Sequence, residues 1–227
     1  MTNRTASRTA ALGMAGAALL AIAGFTALGS LFDYPDILKE PTAEILAAYG
    51  RNPTAISAWF GVLTIGAALL APVGIALGRI VGGTAGRWIA GLGVAAAAVQ
   101  AVGLSRWVLF VPSLSADGSS DAWHTFEVLH TWLGTMLGET VGYALTAAFT
   151  VAVARVLGPR WLAVLGYCCA VLIGTGVVIP LGVGVAELTN FLGYIGWSVW
   201  LLAMAVVLWR GRAATAERLP RGASALA

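Results

Sequence analysis

Residues 54–78 read TAISAWFGVLTIGAALLAPVGIALG, an uncharged stretch of 25 residues closed by Arg79. A hydrocarbon core of ~30 Å takes about 20 helical residues to cross, so this stretch is long enough to span it. In lipid every backbone amide must bond within its own segment, and a continuous apolar run does this only as a helix. A transmembrane β-barrel would show short alternating stretches instead. Outward from Thr54–Gly78 the pattern recurs at Ala10–Phe32, Arg87–Val111, Trp123–Val153, Trp161–Val183 and Leu188–Trp209, six spans in all. Composition agrees, with 59% apolar and 10% charged residues, against roughly 25% charged in soluble domains. The expected fold class is all-α: a polytopic six-transmembrane-helix bundle over residues 1–211, then a basic, disordered tail over 212–227.

Arginine placement sets the expected orientation. Arg4, Arg8, Arg79, Arg87, Arg155, Arg160, Arg210, Arg212, Arg218 and Arg221 fall on one side of the spans. The other side holds Lys39, Arg51 and Arg106 with most of the acids, among them Asp33, Asp36, Asp117, Asp121 and Glu187. Cytoplasmic loops collect Lys and Arg, so both termini are expected in the cytoplasm. The first apolar run is too long for the 7–15-residue core of a cleaved signal and reads as a retained helix. Twelve arginines to one lysine, with heavy Ala and Gly use, suggest a bacterial genome rich in G and C, hence a bacterial cytoplasmic membrane.

The net charge of +3 reflects this topology. Arginines scattered at helix ends are not a basic groove, so nucleic acid is not an expected partner. Cys168 and Cys169 are adjacent on one helix, cannot meet disulfide geometry with each other, and read as small packing residues. No phosphate-binding loop, nucleophile elbow, dinucleotide fingerprint or HExxH helix is present.

The first outer loop, Asp33–Pro53, contains a short helix at Thr42–Tyr49 ended by Gly50. It reads as an interfacial connector on the membrane surface, with a lid as the alternative. In the fourth span Gly134, Gly138, Gly142, Thr146 and Thr150 recur every four residues, a small-residue ridge that lets a neighbouring helix approach closely. Gly74 and Gly78 offer a shorter one. The ridge partner is expected within the chain, with helix-mediated self-association as the alternative. Trp59, Trp88, Trp107, Trp123, Trp161 and Trp209 sit at span ends as an aromatic belt, and Trp132, Trp197 and Trp200 lie deeper. Pro180 is expected to kink the fifth span.

Few polar groups need explaining beyond loop solvation. Glu139 stands near the middle of the fourth span, where a charge costs ~2.5–3.5 kcal/mol. It is either a proton, ion or substrate site or a hydrogen-bonded acid fastening two helices. Arg106, toward the outer end of the third span, either snorkels to headgroups or pairs with a carboxylate. Glu127 is the expected partner at matching depth, with Gln100 deeper and nearer Glu139. His124, Glu127 and His130 share one face of a helix, but the histidines lie about 9 Å apart along its axis, so one helix cannot bring both to one ion. A metal at His124 and Glu127, completed by Asp33, Asp36 or Glu187, is a weak candidate. A haem would have to use a single histidine, and the sequence names no cofactor.

The strings Phe32-Asp-Tyr-Pro-Asp-Ile-Leu38, Gln100…Gly103-Leu-Ser-Arg-Trp107…Val111-Pro112 and Gly138-Glu-Thr-Val-Gly-Tyr143 resemble a bacterial family of small six-helix membrane proteins catalogued as a domain of unknown function. The resemblance covers nearly the whole chain and implies the fold, with no activity or substrate. The expected function is therefore a non-enzymatic membrane protein, binding a small or lipophilic ligand or acting in an envelope assembly through an outward-facing polar cluster. The candidates are Glu139, Arg106, Glu127, Gln100, His124 and His130. A small proton- or ion-coupled transporter or channel using Glu139 is the alternative, and an intramembrane metal or haem redox protein the third.

Overall fold

The computed structural model describes residues 3–211; the expectation for the tail at 212–227 lies outside them. Six helices are long and apolar enough to cross a membrane. They are α1 (Asn3–Phe32), α3 (Pro53–Val81), α4 (Gly83–Asp117), α5 (Ser120–Val156), α6 (Arg160–Leu181) and α7 (Gly184–Trp209). A short helix, α2 (Thr42–Gly50), lies in the first loop. The protein is a multi-pass helical membrane protein. Each span packs mainly on its sequence neighbours and α1 closes on α7, so the six form a ring. Both ends of the described chain lie together, since the Arg8 guanidinium sits 5.6 Å over the Trp209 ring.

Two apolar cores fill the ring at different heights. Toward the termini, Met14, Leu77, Ile89, Phe149, Leu201 and Met204 are fully buried among side chains from all six spans. Trp197 and Trp200 pack there too, their indole N–H groups bonded to Thr150 Oγ1 at 2.9 Å and to the Leu162 carbonyl at 3.0 Å. At the loop end a second core centres on Trp107. Phe60 stacks on it at 4.6 Å, and Phe32 and Phe126 meet it edge-on at 5.2 and 5.9 Å. Such pairs add ~0.5–1.5 kcal/mol each beyond the area they bury. Trp107 thus belongs to this core and not to the interfacial belt, whereas Trp132, expected to lie deep, is 64% exposed at the lipid-facing surface.

The short helix α2 packs its apolar side on the bundle. Ile45, Leu46, Ala48 and Tyr49 are all buried in the loop-end core. Tyr49 Oη shares a 2.6 Å hydrogen bond with Ser57 Oγ, and Ser57 donates to the Trp107 carbonyl at 2.9 Å. Ser115 Oγ donates to the Leu46 carbonyl at 3.2 Å. The apolar side of α2 covers the ring, so this segment is the lid alternative. An amphipathic helix looks the same from its sequence whether it faces lipid or protein.

Glycines set the closest approaches. Gly74 and Gly78 of α3 meet Gly93 and Gly86 of α4 backbone to backbone, where any Cβ would clash. The ridge of α5 also finds its partners within the chain. Gly134 lies under Arg106, Gly138 against Gly103 and Gly142 against Gln100, while Thr146 and Thr150 accept from Gln100 and Trp197.

Two spans leave regular α-helix. In α6, residues Thr175–Leu181 tighten into a 3-10 helix containing Pro180. The proline expected to kink this span thus falls within a stretch of changed helix type about two turns long. The buried Asn190 of α7 donates to the Ile173 carbonyl at 2.8 Å, satisfying backbone at that transition. In α5, residues His130–Val141 form a π-helix, in which each N–H reaches one residue further back. Thr140 Oγ1 follows it, donating to the Thr135 carbonyl at 2.8 Å.

Candidate functional site

Between the two cores polar side chains of α4, the π segment of α5, and α7 cluster inside the ring, and this polar cluster is termed the chamber. Arg106 of α4 is only 4% exposed. Glycine makes room for it: a Cβ at Gly134 would come within 2.6 Å of Nη2. Nη1 donates to the Gly103 carbonyl of its own helix, and the guanidinium lies 5.3 Å from the Trp107 ring. Nε is buried without a partner among the described residues.

Glu139 is coupled electrostatically to Arg106, yet the two form no ion pair. Ion pairs form instead at the loop end, where Lys39 meets Asp36 and Glu187 at 2.8 and 2.6 Å. The Glu139 carboxyl accepts no hydrogen bond from another described side chain or backbone group. It stands mid-span with its side chain half-buried. Tyr34, Tyr143 and Tyr194 are half-buried too and interact electrostatically with it.

Tyr34 reaches the chamber from the first loop, its ring 5.6 Å from Phe25 and 5.2 Å from Phe60. Burial, and then Glu139, push its phenol above the ordinary value while Arg106 opposes them. It therefore stays protonated and available as a donor. Tyr143 and Tyr194 pack on the terminal core with ring centroids 5.7 Å apart. Below Glu139, Gln100 Nε2 donates to Thr146 Oγ1 at 2.7 Å, and Tyr194 bonds the same threonine.

The π-helix explains how α5 serves this site. His130 and Glu139 are nine residues apart, which at about 100° per residue would put them on opposite faces. An i→i+5 pattern turns by roughly 80° per residue and brings both to one face. Both interact with Arg106. His130 stacks on Phe126 at 5.5 Å, and its buried Nδ1 has no partner among the described residues. The wide turns need close backbone approach, because a Cβ at Gly103 would sit 2.8 Å from the Leu133 carbonyl oxygen.

Four of the six sequence candidates, Arg106, Glu139, Gln100 and His130, thus converge. His124 and Glu127 do not. His124 is exposed, and Glu127 accepts from Thr42 Oγ1 of α2 at 3.1 Å. The expected Arg106–Glu127 pair is not formed; Arg106 turns inward to Glu139, because Gly134 opens that side. Nor do His124 and Glu127 meet Asp33, Asp36 or Glu187, and no three His, Cys, Asp or Glu among the described residues converge as a metal would require. The Trp107 aromatic layer and α2 lie on the loop side of the cluster along α1, α3, α4 and α5, while Tyr143 also interacts with Glu187 at the loop end of α7. Sequence reasoning missed three tyrosines. Tyr143 was legible as four residues from Glu139 on one helical face, and Tyr194 as four from Asn190; nothing local marked Tyr34.

A multi-pass membrane protein of six long apolar helices, with a polar cluster inside the bundle, is the class this geometry defines. A family model described as Domain of unknown function (DUF4386) matches residues 12–205. The chain belongs to that family, as the resemblance implied. No curated protein and no solved structure matches the chain.

Proposed function

We propose that the protein is a membrane-embedded binding protein that holds a small, partly lipophilic molecule in the chamber between Arg106 and Glu139. One observation supports the reading: two ionisable groups of opposite sign lie within electrostatic reach of each other inside the bundle, and neither is ion-paired among the described residues. Arg106 has a single bond to backbone and an unpartnered Nε, while Glu139 has no hydrogen-bond donor among the described residues. Leaving a buried charge unpaired costs ~3–5 kcal/mol. A structural role would be served better by a direct bridge. A ligand with an acceptor for Arg106 and a donor for Glu139 or the tyrosines would offset the cost, with its apolar body against the aromatic layer. Such a lining, mostly apolar with a few convergent polar groups, is the usual character of small-molecule sites.

The test is native mass spectrometry of protein released directly from its membranes. The wild type is expected to carry one stoichiometric adduct, which Arg106→Gln and Glu139→Gln lose while keeping their helical circular dichroism. A bare wild-type chain, or an adduct unchanged in both variants, overturns the reading.

A second reading, a proton- or ion-coupled transporter with Glu139 as the titrating group, has its own support. Glu139 stands mid-span, and acids within transmembrane segments commonly serve as proton relays in pumps and transporters. Proton flux in liposomes that Glu139→Gln abolishes would favour it over simple binding. The metal or haem redox alternative has no supporting observation and is not carried forward.

A further inference from the structure

We propose a second site, independent of the chamber: the end of the bundle that carries the chain termini holds one anionic phospholipid, its phosphate on Arg210 and its two acyl chains in grooves on either side of α7. The first groove, about 450 Å³, runs between α1 and α7, with Leu12 and Ala15 on one wall and Leu202 and Trp209 on the other. The second, about 560 Å³, lies between α7 and the start of α6, with Trp161 and Val207 in its walls. Each is large enough for a small-molecule pocket of ~300–1,000 Å³. Val206 and Arg210 line both. The grooves therefore meet at a single cation, as a two-chain lipid with one phosphate requires.

Charge and depth fix the occupant's chemistry. Arg210 is exposed and forms no ion pair among the described residues. Arg8, over Trp209 at 5.6 Å, brings a second guanidinium to the mouth of the first groove, and Arg160 precedes Trp161 beside the second. Every described acidic residue lies in the opposite loops, at the loop end of a span, or in the chamber, so no acid among the described residues competes for these arginines. Trp161 and Trp209 are 57% and 56% exposed, the setting of indoles at headgroup level. Basic pockets between transmembrane helices bind anionic headgroups in this way.

The experiment is native mass spectrometry of the full chain in detergent, titrated with phosphatidylglycerol or with phosphatidylcholine of the same acyl chains. One phosphatidylglycerol is expected to bind at lower concentration than phosphatidylcholine. Arg210→Gln should weaken it about fivefold, the effect of one cation near a membrane surface. Val206→Trp, which fills both grooves from an exposed position, should abolish the adduct without lowering the melting temperature. Arg87→Gln, at the same end but away from the grooves, should change nothing. Equal binding of the two lipids, an equal loss in Arg87→Gln, insensitivity to Val206→Trp, or a dimer that Val206→Trp dissolves would each overturn the proposal. None of these results depends on the chamber, whose variants report on a different adduct.

Discussion

Gly103→Ala and Gly91→Ala place the same methyl group on the same helix with opposite consequences. At Gly103 a Cβ would sit 2.7 Å from Gly138 Cα and 2.8 Å from the Leu133 carbonyl oxygen, both backbone atoms of the π segment. Ordinary contact is ~3.5–4.0 Å, so α4 and α5 must part by about 1 Å. Overpacking of this kind costs ~1–3 kcal/mol. At Gly91 the methyl meets nothing within 4 Å. Both variants gain the same helix propensity, up to about 1 kcal/mol, so their difference isolates the overpacking cost. For a chain of this size 1 kcal/mol moves the midpoint by ~2–4 °C. Gly103→Ala should therefore melt ~2–12 °C below Gly91→Ala in the same detergent, followed by circular dichroism. Coincident melting curves would refute the claim that bare backbone contact holds the π segment against α4.

Further outcomes follow from individual bonds. Asn190→Leu leaves the Ile173 carbonyl without its 2.8 Å donor and should cost ~1–3 kcal/mol in thermal unfolding; an unchanged midpoint would show that the 3-10 segment satisfies itself. Trp200→Phe removes the 3.0 Å bond to the Leu162 carbonyl and should cost about 1 kcal/mol by the same measurement. Lys39→Ala breaks two exposed ion pairs, one within the first loop to Asp36 and one that ties the loop to Glu187 of α7. Global stability should fall by less than ~1 kcal/mol, while hydrogen exchange across residues 33–50 quickens, as it should in wild type at high salt; unchanged exchange would remove the latch. Those carboxylates raise the Lys39 titration above its ordinary value. The latch is thus fully present at neutral pH and, on the alkaline side, is lost as pH rises through that raised value.

Legibility in the sequence divided along physical lines. The spans, their number and the apolar class were readable because hydropathy is a local property, summed over about 20 residues of one segment. So was the glycine ridge of α5, since a four-residue repeat marks one helical face without knowledge of what lies against it. Arg106 and Glu139 also stood out, because ionisable groups inside apolar spans are rare. Their relationship did not. Sequence depth paired Arg106 with Glu127, whereas the absence of a side chain at Gly134 turns the guanidinium inward toward Glu139.

What the sequence determined by itself, then, is which segments cross the bilayer, which residues are too polar for that setting, and which faces are small enough to pack closely. Only the tertiary structure decided the ring order, the use of α2 as a cover, the π-helical stretch that brings His130 and Glu139 to one side, and the arrival of Tyr34 from a loop. Each depends on contacts between segments far apart in the chain. A helix in isolation has one period of turn and no reason to favour either side of a polar residue. Gly103 against Gly138, Arg106 over Gly134 and Phe60 on Trp107 supply that reason, and none of these pairs is adjacent in sequence.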